Sequence, residues 1–179
     1  MRRRFRRDIR KTLAQEVPPI LQEANFVFDK GEYGRAAELF EQIATAADAR
    51  GGPRAPIFHL QAGRARVLAG QTKLGIPSIK RGLEIFAQRK QYLRLHQASQ
   101  RVLNELNERG LKNEAAEIEA WLHGNMPSIP AVEKQTKRPV LPTHCPHCGA
   151  GLRPDEIEWL DDITGECPYC GSPVREENK

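Results

Sequence analysis

The sequence predicts an all-α array of helical hairpins followed by a small cysteine-rich β module. Three observations carry this expectation. Gly31, Gly70 and Gly110 stand 39 and 40 residues apart, each between two stretches whose apolar residues recur at helical spacing. Two Cys-x-x-Cys pairs, eighteen residues apart, lie in the last thirty-five residues. Between these regions Pro127, Pro130, Pro139 and Pro142 punctuate a short polar stretch, which reads as an extended linker. Apolar residues make up 39% of the chain and aromatics 6%, which suits thin cores between helices better than one deep core.

Four segments follow in order. Residues 1–17 form a basic amphipathic arm, with Phe5, Ile9, Leu13 and Val17 on one helical stripe. Its first eleven residues carry seven positive side chains and one aspartate, a net +6, so the formal +5 of the whole leaves −1 for the rest. The sequence pI of about 9.2 therefore describes segments, not a uniformly basic surface. Residues 18–124 are the helical repeats, 125–144 the Pro-rich linker and 145–179 the cysteine module. No apolar run approaches the roughly 18 residues of a membrane span, and no apolar stretch of a secretory signal follows the basic start. All four cysteines sit in the two pairs, a metal pattern and not a disulfide framework, so a cytoplasmic location is expected.

Within the repeats, Ala24, Val27 and Phe28 precede the turn Asp29-Lys30-Gly31-Glu32, and Tyr33, Ala36, Phe40 and Ile43 follow it. Glycine supplies the left-handed residue that ends the first helix, and the small Ala36 admits a close helix neighbour. A second unit keeps Gly63 and Gly70, is expected to be interrupted by Pro77, and resumes with Ile79, Leu83 and Phe86. A third has Leu103, Leu106, Gly110, Ala115 and Ile118, closed by Trp121 and Leu122. The first unit resembles a tetratricopeptide repeat, and three such hairpins are enough to bury a continuous core. The resemblance implies a groove that presents itself to a protein partner. Phe40, Phe86 and Trp121 are read as inter-helix packing.

Cys145-Pro146-His147-Cys148 and Cys167-Pro168-Tyr169-Cys170 carry the chemistry. A two-residue gap lets both thiolates of a pair face one ion, and four thiolates complete a tetrahedral zinc site with no open position. Cys145, Cys148, Cys167 and Cys170 are therefore expected to hold one structural Zn2+ that helps fold a segment too small to fold on its core alone. Gly149 and Gly171 follow the pairs and allow each turn to close with backbone N–H groups towards sulfur. These paired CPxCG knuckles resemble a zinc ribbon. A redox dithiol needs one pair, and the symmetrical spacing favours zinc over an iron–sulfur cluster. His144 and His147 are read as knuckle residues, and His59, His96 and His123 as scattered helix positions. No nucleophile–base pair, phosphate-cradling loop or HExxH helix is visible, so a non-enzymatic function is expected.

Charge orders the partner readings. From residue 145 onward three basic residues face eight acids, a net −5 that would repel a phosphate backbone. The expected role is an adaptor, with the helices engaging one protein and the tethered module another. One alternative is a one-zinc RING-like ligase or accessory factor that recruits a ubiquitin-like conjugating enzyme. The resemblance there would place partner contacts at His147, Ile157, Trp159, Pro168 and Pro173. A second alternative uses the nine basic residues against Glu84 between Arg54 and Arg94, a net +8. Arg64, Arg66, Arg81 and Arg94, together with residues 1–11, would then contact nucleic acid.

Overall fold

The computed structural model describes residues 17–125, 140–154, 156–159 and 163–175. The basic arm up to residue 16 and linker residues 126–139 lie outside the described residues. Six helices run in chain order: α1 (Pro19–Asp29), α2 (Tyr33–Ala49), α3 (Ala55–Leu68), α4 (Thr72–Gln88), α5 (Tyr92–Glu108) and α6 (Lys112–Asn125). Three short strands follow, β1 (Glu158–Trp159), β2 (Thr164–Glu166) and β3 (Pro173–Arg175), in one antiparallel sheet of order β1-β2-β3. No helix among the described residues is long and apolar enough to cross a membrane.

The hairpin turns follow the glycines. Gly31, Gly70 and Gly110 take φ of 80°, 75° and 74°. Beyond each, a backbone N–H reaches back five residues: Glu32 to Val27 at 2.9 Å, Gln71 to Arg66 at 2.8 Å, Leu111 to Leu106 at 2.9 Å. These bonds satisfy carbonyls that the helix ends would otherwise leave without a donor. Two further turns are of the same kind: Gly51 (φ 63°) joins α2 to α3, with the Gly52 N–H reaching Ala47 at 2.8 Å, and Lys90, the only described non-glycine residue with positive φ (56°), joins α4 to α5, with the Gln91 N–H reaching Phe86 at 2.9 Å.

Pro77 does not interrupt its helix. It sits in the second turn of α4 with its ring exposed, and the helix runs on to Gln88. A proline there removes one donor and frees one carbonyl, that of Lys73, near an end where carbonyls still meet water. The apolar face of the following turns, Ile79, Leu83 and Phe86, is buried and holds the segment helical.

Neighbouring helices pack in sequence, most extensively α3 on α4 and α2 on α3. The α3–α4 crossing is built from glycine. A Cβ on Gly63 would lie 2.6 Å from Ile79 Cγ1 and 2.7 Å from the Gly75 carbonyl oxygen. One on Gly82 would lie 2.7 Å from the Pro56 carbonyl oxygen. Two cores result. One joins Val67 of α3 with α4, α5 and α6 through Leu83, Leu95, Leu106 and Ile118. The other joins α1, α2 and most of α3 through Leu21, Ala24, Ala36 and Phe40, and it does not stop at the helices. Cys145, Cys148, Ile157, Cys167, Tyr169 and Val174 belong to it as well. The cysteine module is seated against the first helices, where a tethered unit had been expected.

The glycine crossing sets a clear test. Gly63→Val should cost about 1–3 kcal/mol or more by overpacking against backbone. Gly34→Ala in α2, where a Cβ meets open space, should be neutral or gain up to about 1 kcal/mol in helix propensity. Equal midpoints for the two variants in urea unfolding would refute the close crossing.

Candidate metal centre

Each cysteine pair forms the same knuckle. The Cys145 N–H donates to the Ala150 carbonyl (2.8 Å), and the Gly149 N–H returns to the Cys145 carbonyl (2.9 Å). In the second pair the Cys167 N–H donates to the Ser172 carbonyl (2.9 Å), and the Gly171 N–H to the Cys167 carbonyl (2.8 Å). Closing so tight a turn requires positive φ at the residue after the pair, and Gly149 and Gly171 take 74° and 77°. Gly171 is constrained twice, because a Cβ there would collide with the Arg54 guanidinium.

The two knuckles face each other, so Cys145, Cys148, Cys167 and Cys170 bring their sulfurs within 4.8 Å of one another. Across the pairs, Cys145 and Cys170 lie 3.7 Å apart and Cys148 and Cys167 3.9 Å apart. Three of the four cysteines are buried and Cys170 is half-buried. The cluster could hold a metal ion, and it is the one such group among the described residues.

Its electrostatics point the same way. Neighbouring thiols hydrogen-bond to Cys145 and bring its pKa down to about 6, and they push Cys170 well below the thiol range. The same contacts, with Cys145 first among them, push Cys148 and Cys167 far up. Hydrogen bonding within the cluster thus favours the thiolate at two sulfurs and the thiol at the other two. Backbone N–H groups of His147, Ala150 and Cys170 approach Cys145, Cys148 and Cys167 respectively, and the Ser172 side chain approaches Cys170; all four contacts favour the charged form.

Polar contacts lock the module to the helices at four places. On α1, Asn25 Nδ2 donates to the Cys148 carbonyl at 2.9 Å in a buried contact, and Gln22 Nε2 reaches the His147 carbonyl at 3.4 Å. Arg54, just before α3, pairs with Glu166 of β2 at 2.9 Å. Gln61 of α3 donates to the Tyr169 hydroxyl at 2.5 Å, and that hydroxyl faces Glu156 at 3.3 Å. Arg101 of α5 pairs with Glu156 at 2.5 Å. Burial, with the Glu156 carboxylate beside it, pushes the Tyr169 phenol above its usual range, which keeps it a neutral donor at ordinary pH.

The remaining residues singled out from the sequence fall in different places. His147 and Pro173 are exposed, and Pro168 is half-buried. Ile157 is 7% exposed and closes over Gly165, where a Cβ would collide with it; it is a packing residue of the module and not an outward contact. Trp159 lies on β1, where its backbone pairs with Gly165. The basic run is largely engaged within the chain. Arg64 meets Glu105 (3.0 Å), Arg66 meets Glu41 (2.6 Å), and Arg81 meets Asp48 and Glu84 (2.9 Å each). Lys80 pairs with Glu117, Arg89 donates to the Gly52 carbonyl, and Arg94 also has a partner. Asn25 and Tyr169 were not foreseen from the sequence. The chain matches no protein-family model, no curated protein and no solved structure.

Asn25 offers a direct probe of the seam. Asn25→Leu leaves the buried Cys148 carbonyl without its donor and should cost about 1–3 kcal/mol, whereas Gln22→Ala at the exposed rim should stay within about 0.5 kcal/mol. Denaturant midpoints of the two variants compare these directly. Indistinguishable values would mean that the knuckle does not rest on α1.

Proposed function

We propose that the chain is a non-enzymatic protein-interaction adaptor whose helical hairpins, of the tetratricopeptide type, are completed by a structural zinc module. The observation that carries this reading is the closed sulfur cluster inside a core shared with the helices. Four sulfurs about 2.3 Å from a central zinc define a tetrahedron with edges of about 3.8 Å; two of the four cross-pair distances are 3.7 and 3.9 Å, and all the sulfurs lie within 4.8 Å of one another. Zinc held by four thiolates keeps no position for water or substrate, so its work is to hold the two knuckles together. Cys145, Cys148, Cys167 and Cys170 would be its ligands.

Charge favours a protein partner. Phosphate binding draws on Lys and Arg available to displace counterions, and between Arg54 and Arg89 most such side chains already face a carboxylate or carbonyl of the same chain. The acidic excess of the cysteine module weighs in the same direction. Among the exposed apolar side chains of the helices, Phe26, Leu74 and Leu93 are each exposed by about half.

Two experiments test the two halves of this proposal. Metal analysis should find one zinc per chain, lost in Cys148→Ser and Cys167→Ser. Chelation should also lower the melting temperature of the helices, because the core is continuous; a metal-free chain with unchanged melting would overturn the zinc reading. For the adaptor, the full chain captured from its own cell extract should keep a stoichiometric protein through nuclease treatment. Recovery of nucleic acid alone, or substrate turnover that needs the thiols, would overturn it.

A further inference from the structure

Four sulfurs gathered closely enough to share an ion are also placed to bond to one another. They are not equally accessible: Cys145, Cys148 and Cys167 are buried, whereas Cys170 is half-buried. Oxidation of cysteine follows exposure, so an oxidant in solution meets Cys170 first. Cys145 of the opposite knuckle lies 3.7 Å from it, sulfur to sulfur. A disulfide holds its sulfurs about 2.05 Å apart, so a shift of about 0.8 Å by each closes the gap. The other two sulfurs, Cys148 and Cys167, face each other across the knuckles at 3.9 Å, both buried.

We propose that the cluster is a peroxide-responsive site in which Cys170 is oxidised first and Cys145 resolves it, giving a disulfide across the knuckles. The steps balance. The Cys170 thiolate attacks one oxygen of hydrogen peroxide; an S–O bond forms, the O–O bond breaks and hydroxide leaves. The Cys145 thiolate then attacks the sulfenic sulfur; the S–S bond forms, the S–O bond breaks and a second hydroxide leaves. The two sulfurs give up two electrons, peroxide takes them, and two protons from solvent turn the hydroxides into water. The position of the bond decides its effect. Sulfurs in a disulfide are no longer thiolate ligands, so an ion held by the cluster loses half of its donors. A bond within one pair leaves the knuckles unjoined, whereas the Cys145–Cys170 bond ties them together. The first knuckle rests on α1 through Asn25 and the Cys148 carbonyl, and the second on α3 through Gln61 and Tyr169. Oxidation therefore frees the ion while the module keeps its seat. This deepens the structural-zinc reading, yet it stands on the sulfur positions alone, since the same bond forms in a chain that carries no ion.

Treating the full chain with one equivalent of hydrogen peroxide, alkylating the remaining thiols and mapping disulfides by mass spectrometry of a non-reduced digest tests this. Metal content of the starting sample is measured separately, which keeps a failure here distinct from a failure of the zinc reading. The expected product joins Cys145 to Cys170, with Cys148 and Cys167 still open to alkylation once unfolded. Its helices should melt above those of the reduced, chelated chain. Dimedone added with the peroxide should label Cys170 before the other three. Oxidation in concentrated urea is the control: cysteines three positions apart meet more readily in an unfolded chain than cysteines twenty-five apart, so bonds within the pairs should replace the cross-knuckle bond there. In-pair disulfides in native buffer, first labelling at Cys148 or Cys167, four thiols left reduced, or an oxidised chain melting no higher than the chelated one would each overturn the proposal.

Discussion

The convergence of four sulfurs is the constraint on which the rest of the C-terminal part depends. The strands of the module are two, three and three residues long. A sheet of that size buries too little apolar surface to offset the conformational entropy of ordering its chain. What fixes it is backbone geometry at the two knuckles, each closed by a glycine at positive φ, together with the gathering of four sulfurs in a cluster that could hold a metal ion. With the knuckles closed, Ile157, Val174 and Tyr169 pack into one core with α1 and α3.

Docking changes what the module does for the helices. The first and last elements of a helical array have one face with no neighbour, and here the open side of α1–α3 is covered by cysteine-bearing turns. The contact has an apolar centre and a polar margin: buried cysteines and Tyr169 against Leu21, Ala24 and Phe58, ringed by Asn25, Arg54, Gln61 and Arg101. Asn25 is the telling member. A polar side chain on the buried face of a helix is costly without a partner, and its partner is the carbonyl of Cys148, a member of the sulfur cluster. The helix thus encodes the presence of the module more than a hundred residues before the module is made.

Legibility in the sequence followed locality. Gly31, Gly70 and Gly110 mark turns through their own backbone conformation, so their roles could be read from position alone, and the same holds for Gly149 and Gly171 beside the cysteines. The α4–α5 turn carries no such mark, because Lys90 takes the left-handed conformation that glycine usually supplies. Pro77 misled in the opposite sense: its local preference against helix is overridden by the burial of Ile79, Leu83 and Phe86. The seat of the module was not legible at all. Asn25 meets the Cys148 carbonyl and Gln61 meets Tyr169 across separations of more than a hundred residues, and neither periodicity nor spacing reports such pairs. The RING-like reading offers Ile157 as a partner contact, yet its side chain is buried against Gly165, a neighbour that sequence spacing does not reveal.

The charge pattern shows how far composition can mislead once a chain is folded. A net +8 between Arg54 and Arg94 suggests a basic face. Its neutralising acids, Glu41, Asp48, Glu105, Glu117 and Glu166, stand outside or at a distance along the sequence and arrive only when helices and module pack. Such pairs contribute little stability each when exposed, but several here are half-buried and link different elements. Their effect is to specify which helix faces which, since a shifted register would leave a guanidinium against apolar side chains. Arg64 illustrates this, with Glu105 of α5 on one side and the Phe28 ring of α1 at 5.2 Å on the other. Positive charge in this chain therefore does much of its work inward, stitching an array whose apolar content alone is thin, and acids of the cysteine module are part of the same stitching.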